Sequence, residues 1–258
     1  MHGSPSPQDF NLLTPAQIQA LPQSPDSSAL NAMLEWVQDF IAKPRRERDP
    51  SNPESRLAVC PFMPGSLKMG LTWFALAQGP VESPDDVIRV VESYKDPLKA
   101  LPPTSGMNAK FKTIIIVFPM VTRDMAPHFI DGVHASVSGE YKSDALMLGE
   151  FHEENRKPGQ YNSLFFPLQS PVPAMAIRLM VARDSIFLTA DAGDPLKTLE
   201  NLKAYAKAIP QMEPPPGDVE EMMRILAEKM EDIEKRARRV PPDTEGDDVL
   251  PDAEDEEN

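Results

Sequence analysis

Cys60 is the only cysteine of the chain, and it stands directly before Pro61 and Phe62. A proline disfavours helical backbone at the residue before it, so we expect Cys60 to be held in an extended conformation. A cysteine thiolate in such a position can serve as the axial ligand of a haem iron. The alternative is a buried structural thiol that packs against the neighbouring apolar surface.

His152 follows an apolar run in the stretch DALMLGEFHEEN, residues 144–155. We predict a buried strand that ends just before it, so His152 lies where a rigid strand meets a polar loop. A neutral imidazole at that point can ligate a haem iron or carry a proton. Nearby Glu150, Glu153 and Glu154 would favour the imidazolium form and oppose ligation. The alternative is a strand-terminal histidine that hydrogen-bonds to the loop backbone.

Arg178 stands within the otherwise apolar segment MAIRLMV, residues 175–181. A buried guanidinium needs an anionic partner, because burial of an isolated charge is very costly. The partner is either a carboxylate of the protein, such as Glu150 on a neighbouring strand, or the carboxylate of a substrate or haem propionate. Cys60 and His152 are therefore the candidate iron ligands, His152 and Arg178 the candidate catalytic residues, and all three the candidate haem-binding residues.

The remaining histidines offer little further chemistry. His128 and His134 stand on one predicted helix, and their spacing places them about 240° apart around its axis. They do not share a face, so we interpret each as a boundary or surface residue and not as one of a metal-binding pair. The sequence also lacks a zinc-protease helix motif, a phosphate-binding glycine loop and a nucleophile elbow.

Three segments that are rich in apolar, β-branched or bulky residues predict strands. We interpret the segment DSIFLT as a fourth, short strand. The strands are predicted at residues 111–119, 144–151, 174–182 and 184–189. Apolar spacing of three and four residues, with Ser or Asp before a proline as start signals, predicts helices. The helices are predicted at residues 28–43, 67–77, 83–96, 123–141 and 194–209.

This order of elements predicts an α+β fold, with a small mixed or mostly antiparallel sheet covered by helices. A doubly wound fold is less favoured, because no glycine-rich phosphate loop follows a strand. Residues 1–28 are rich in proline and serine and predict a disordered arm, in which one short patch, PAQIQAL at residues 15–21, could dock on the domain. The single α+β domain is assigned to residues 29–210, an amphipathic helix to residues 217–240, and a disordered tail to residues 241–258.

The charge of the chain restricts its partners. The formal net charge is -14, and residues 241–258 hold nine acidic and no basic side chains. Such a surface repels nucleic-acid phosphates and anionic membranes, so we expect neither as a partner. A single cysteine, with no apolar leader or spanning segment, predicts a cytoplasmic protein. The face of the helix at residues 217–239 predicts packing on the domain, on a protein partner or on a second copy in a homodimer.

Two stretches together resemble an uncharacterised domain family that is often found near natural-product biosynthetic genes. They are CPFMPGSLKMGLTWF, residues 60–74, and LGEFHEENRKPGQYNSLFFPLQSPVPAMAIRLMVARDSIFL, residues 148–188. The matching residues are Cys60, Pro61, Phe62, Phe151, His152, Asn162, Ser170, Pro171, Pro173, Arg178, Met180, Asp184 and Phe187. Glu153 departs from the family pattern, which has proline there. The resemblance covers residues 30–210.

A fainter similarity is to the YqcI/YcgG-type family, which includes haem-dependent N-hydroxylases. By analogy it implies a haem-dependent monooxygenase-like enzyme that acts on a small amine or amino acid in a biosynthetic pathway. The second hypothesis is a non-catalytic small-molecule-binding or accessory protein. The third is an interaction protein that uses the C-terminal helix and the acidic tail.

Overall fold

The structure is a computed structural model and describes residues 5–44, 57–159, 162–188, 194–212, 215, 217 and 219–237. The strands are β1 (Thr72–Leu76), β2 (Thr113–Val117), β3 (Leu146–Phe151) and β4 (Ala174–Leu179). The helices are α1 (Pro15–Gln19), α2 (Pro25–Trp36), α3 (Met63–Lys68), α4 (Pro84–Glu92), α5 (Lys95–Ala100), α6 (Gly132–Ser143), α7 (Ser185–Leu188), α8 (Pro195–Ala208) and α9 (Val219–Ala237). Short 3-10 or π turns lie at Pro7–Phe10, Val37–Ile41, Ala109–Phe111, Pro127–Asp131, Ala182–Asp184 and Ile209–Gln211.

The four strands form one mixed sheet in the order β1-β2-β4-β3. β1 runs parallel to β2, whereas β4 is antiparallel to both β2 and β3. All five residues of β2 are buried, which agrees with a β-branched strand that is covered on both faces. The predicted α+β class is confirmed, and the three strongest strand predictions correspond to β2, β3 and β4.

Two local predictions were wrong. The helix predicted for residues 67–77 is in fact α3, which begins earlier at Met63, followed by β1. Pro64 is tolerated in the first turn of α3, because no helical hydrogen bond needs its missing N–H. Gly70 then adopts a φ of 67°, which ends the helix and lets the chain enter the sheet. The predicted fourth strand is instead a 3-10 turn that continues into α7.

Helices cover the sheet on both faces. On the first face, called here the α2 face, α2 packs on the strand residues Phe74, Ile115, Val117 and Ala174. On the second face, called here the α6 face, α4 and α6 pack on Trp73, Ile114, Ile116 and Ile177. The two faces therefore carry separate apolar clusters, and each side chain of the sheet points to one face or the other.

The prediction of a disordered arm at residues 1–28 does not agree with the structure over residues 5–28. Leu13 exchanges two backbone hydrogen bonds with Phe74 of β1, at 2.8 and 2.9 Å. Leu12 and Ile18 are fully buried, so these few apolar side chains anchor the segment against the domain. α2 also begins earlier than the predicted start at residue 28, because Ser24 is its N-cap.

The C-terminal helix α9 packs on α8 of the same chain. Leu226 is buried in a cluster with Leu202, Tyr205 and Ile209, and Lys203 lies 3.4 Å from Glu234. Intramolecular packing was one of the three arrangements that the sequence left open. The predicted acidic tail at residues 241–258 lies outside the described residues. None of the helices in the described ranges has the length and apolar character that a membrane span requires.

Candidate functional site

Arg178 lies in β4 and makes a bidentate ion pair with Asp184. Its two terminal nitrogens donate to the two carboxylate oxygens at 2.8 and 2.6 Å. Asp184 is 1% exposed and also accepts the backbone N–H of Val181. The sequence had named Glu150 as a possible protein partner, but the partner is Asp184, which the turn at Ala182–Asp184 folds back onto the strand.

The pKa of Arg178 lies above its ordinary value. Burial acts to lower the pKa, and the hydrogen bonds and charge of Asp184 outweigh that effect, with a smaller contribution from Cys60. The guanidinium also lies 5.1 Å from the centre of the Phe62 ring. These contacts make Arg178 a charged group that the protein itself neutralises.

Cys60 is half-buried and lies on the α2 face. It packs against the apolar cluster of that face, and its backbone N–H donates to Ile41 at 3.0 Å. Arg178 shares this side of the sheet, since its neighbours two and four residues back, Ala176 and Ala174, belong to the same cluster. The structure therefore brings together two of the three predicted site residues, Cys60 and Arg178.

His152 lies on the opposite side of the sheet. Its Nε2 is 2.9 Å from Asp131, which belongs to the π turn that leads into α6. The strand register agrees, because Met147 pairs with Arg178 whereas Glu150 pairs with Met175, and these two pairs point to opposite faces. His152 is 2% exposed, and its Nδ1 is buried without a hydrogen-bond partner in the described structure.

A second cluster of polar side chains lies around the buried Glu150 on the α6 face. Nε2 of His134 lies 3.0 Å from Glu150 and 3.2 Å from the carbonyl of Leu148, and Lys157 pairs with the other oxygen of Glu150. Burial, followed by the nearby ammonium groups of Lys157 and Lys142, lowers the pKa of His134 to about 3. Burial also raises the pKa of Glu150, against the effect of Lys157. His134 is therefore neutral and donates from Nε2.

The interpretation of His134 as a boundary or surface residue missed this contact. The six-residue spacing from His128 correctly separates the two histidines, but it does not show which face of the helix meets β3. A signal was present in the alternation of β3, which places Glu150 on the same face as the buried Leu146 and Leu148. A carboxylate in such a position requires a partner from the covering helix.

The predicted residues do not fit a haem. Cys60 and His152, the two predicted iron ligands, are separated by the sheet. Arg178 is occupied by Asp184, and Nε2 of His152 is held by Asp131. We therefore assign no haem-dependent reaction to these residues. Within the described ranges, no group of three or more His, Cys, Asp or Glu side chains is placed to hold a metal ion.

A cavity of about 520 Å³ lies at the carboxyl end of β1, between the N-terminal segment and α2. We call it the arm cavity. Its lining residues are Gln8, Asn11, Leu12, Leu13, Gln17, Leu21, Pro22, Ser24, Asp26, Ser27, Leu30, Leu76 and Gln78. The pairing of Leu13 with Phe74 fixes one wall, and Ser24, the N-cap of α2, lies on another. This cavity could not be predicted from the sequence, because the composition of residues 1–28 indicates a disordered arm.

The lining of the arm cavity combines an apolar wall with uncharged polar groups. Five leucines and a proline supply the apolar surface, and glutamine, asparagine and serine side chains supply donors and acceptors. Asp26 is the single charged residue among the lining residues, and it is exposed. An apolar body with one hydrogen-bonding group fits such a lining.

Comparison with known proteins identifies a family but no function. No curated protein and no solved structure shows significant similarity to the chain. A family model described as a domain of unknown function, DUF6875, matches residues 30–215. These residues include Cys60, His152 and Arg178, whereas most of the residues that line the arm cavity precede them. The chain belongs to this DUF6875 family.

Proposed function

We propose that this chain binds a small uncharged or cationic molecule in the arm cavity. The observation that carries the proposal is the cavity of about 520 Å³ at the carboxyl end of β1. Its volume lies within the range of about 300 to 1,000 Å³ that is usual for small-molecule sites. Open sheets with parallel strands also commonly bind ligands beyond the carboxyl ends of those strands.

The charge of the lining selects the class of ligand. Asp26 is acidic, and the lining contains no lysine, arginine or histidine. A carboxylate or phosphate ligand would meet no cation there, whereas an amine would gain a charge-assisted contact with Asp26. The side chains of Leu13, Leu21 and Leu30 would cover its apolar part.

A matched series of benzylamine, benzyl alcohol and benzoate tests this proposal, because the three share one apolar body and differ in charge. Binding is followed by the amide signals of residues 11–30 in a two-dimensional NMR titration. Benzylamine and benzyl alcohol are expected to shift these signals with a Kd of about 1 mM, the affinity typical of such small ligands. Benzoate is expected to bind more weakly than either.

Two substitutions locate the site. Leu21→Trp fills the cavity and is expected to abolish binding of both ligands, whereas Leu196→Trp, at an exposed position on α8, is the control and should leave it unchanged. Asp26→Asn is expected to weaken benzylamine but not benzyl alcohol. The proposal is refuted if neither ligand shifts these signals, or if Leu21→Trp binds both as well as the original chain.

A further inference from the structure

Lys112 is a buried lysine just before β2. The residue is 1% exposed, and its ammonium donates to the carbonyls of Lys99 at 3.2 Å and Leu101 at 2.8 Å. Both carbonyls lie at the C-terminal end of α5, whose partial negative charge favours a cation. An ammonium has three N–H donors, so these two contacts leave one donor without an acceptor among the hydrogen bonds described for Lys112.

A second cavity adjoins this lysine. Its volume is about 220 Å³, and its lining includes Lys99, Thr104, Lys112, Asp144 and Leu179. Among these residues Lys99 and Thr104 are exposed, whereas Lys112 is buried. The carboxylate of Asp144 lies 3.6 Å from Lys95, so a cation outside the cavity already accompanies it.

The charge of Lys112 is therefore incompletely balanced. Its described acceptors are two neutral carbonyls, and no ion pair is described for it within the structured part of the chain. A buried cation without an anionic partner is unfavourable, and a bound anion would remove that cost. Burial also lowers the pKa of Lys112 to about 8, because desolvation disfavours the charged ammonium.

We propose that this second cavity, called here the Lys112 cavity, binds a small monocarboxylate whose oxygen accepts the third N–H of Lys112. A single negative charge balances the single buried ammonium, whereas a phosphate dianion would add repulsion from Asp144 at the cavity wall. Leu179 and Ala145 supply apolar surface for a short alkyl chain. This site is separate from the arm cavity, and it selects the opposite charge.

Isothermal titration calorimetry with propionate tests the inference on the full chain. Propionate is expected to bind saturably at neutral pH, and propionamide, which has the same shape without the charge, is expected to bind at least about tenfold more weakly. Because deprotonation of Lys112 removes the charged donor, propionate affinity should fall about tenfold between pH 7 and pH 9. Inorganic phosphate is the third arm, and it should bind more weakly than propionate.

Substitutions show whether Lys112 is the group responsible. Lys112→Met keeps an unbranched chain without the charge and is expected to abolish propionate binding. Lys110→Met removes a lysine two positions away that does not line the cavity, and it should bind propionate normally. If Lys112 serves only to cap α5, the original chain will show no saturable propionate binding, and that result overturns the proposal. Equal binding of propionate and propionamide by the original chain overturns it as well, even where Lys112→Met does not fold.

Discussion

The ion pair between Arg178 and Asp184 allows a direct test of what the strand arginine does. Arg178→Met would leave the Asp184 carboxylate buried without its two guanidinium hydrogen bonds, and the backbone N–H of Val181 would be its remaining donor among the hydrogen bonds described above. Removal of one partner from a buried pair typically costs about 3 to 5 kcal/mol, because the other charge stays desolvated. Asp184→Asn is expected to cost a similar amount for the same reason.

The double variant separates the interaction energy of Arg178 with Asp184 from the other effects of each substitution. When Arg178→Met and Asp184→Asn are combined, no unpaired charge remains, so the loss should be no larger than about 5 kcal/mol and well below the sum of the single losses. Urea unfolding measures each of the four free energies of unfolding. A chain with an ordinary stability of about 5 to 15 kcal/mol retains a measurable transition in most of this range.

An exposed ion pair is the matched control. Arg224 makes two hydrogen bonds to Glu221 on α9, where both side chains are about half exposed, so Arg224→Met should leave the free energy of unfolding unchanged within error. Had Arg178 been kept for a ligand carboxylate, its loss would change ligand affinity and hardly affect folding. Single losses at Arg178 and Asp184 below about 1 kcal/mol, or a double loss equal to their sum, would refute the structural interpretation.

Three further predictions concern other parts of the fold. Leu12→Ala is expected to reduce the free energy of unfolding by about 2 to 5 kcal/mol, because the side chain of Leu12 is fully buried. A loss below about 0.5 kcal/mol in urea unfolding would mean that the N-terminal arm is not anchored to the domain. The folded chain keeps His134 neutral down to about pH 3, whereas in the unfolded chain the same imidazole takes up a proton below about pH 6.5. Acidification therefore favours the unfolded chain. We expect the free energy of unfolding to fall by about 2 kcal/mol between pH 6.5 and pH 5. His134→Gln should flatten this dependence of stability on pH. The raised pKa of Glu150 acts in the opposite direction in both proteins. Equal slopes of unfolding free energy against pH for the two proteins would contradict a neutral, buried His134. Truncation after residue 216 removes α9 with its buried Leu226 and exposes the apolar side chains of Leu202 and Tyr205 on α8, which belong to the same cluster. It should lower stability by at least about 2 kcal/mol in thermal or urea unfolding, whereas an unchanged midpoint would favour a helix that serves an external partner.

The secondary structure was predictable where local signals agreed. The run Thr113–Val117 is β-branched and apolar, and it is a buried strand in the fold. The Ser83 and Pro84 start signal correctly marks α4, and Asp194 caps α8 as its sequence indicates. β1 was missed because its residues, TWFAL, have no alternation of apolar and polar side chains. Burial on both faces removes the pattern that distinguishes a strand from a short helix.

The candidate site was much less predictable than the elements. The sequence indicated that Arg178 needs an anionic partner, but several carboxylates were available and the nearest strand offered Glu150. The turn at Ala182–Asp184 decided the pairing, because it places Asp184 back beside β4. The same sheet geometry separates Cys60 from His152, although both stand at the ends of apolar segments and appear equivalent in the sequence.

By itself, the sequence determined the α+β class, the approximate limits of most helices and strands, and the need for charged partners at buried positions. These properties depend on side-chain type and on spacing along the chain, which are local. The tertiary structure decided which carboxylate meets Arg178, that His134 meets Glu150, and that an open cavity lies between the N-terminal segment, β1 and α2. Contacts of this kind join residues far apart in the sequence, and they follow from strand order, register and the face of the sheet that each side chain occupies.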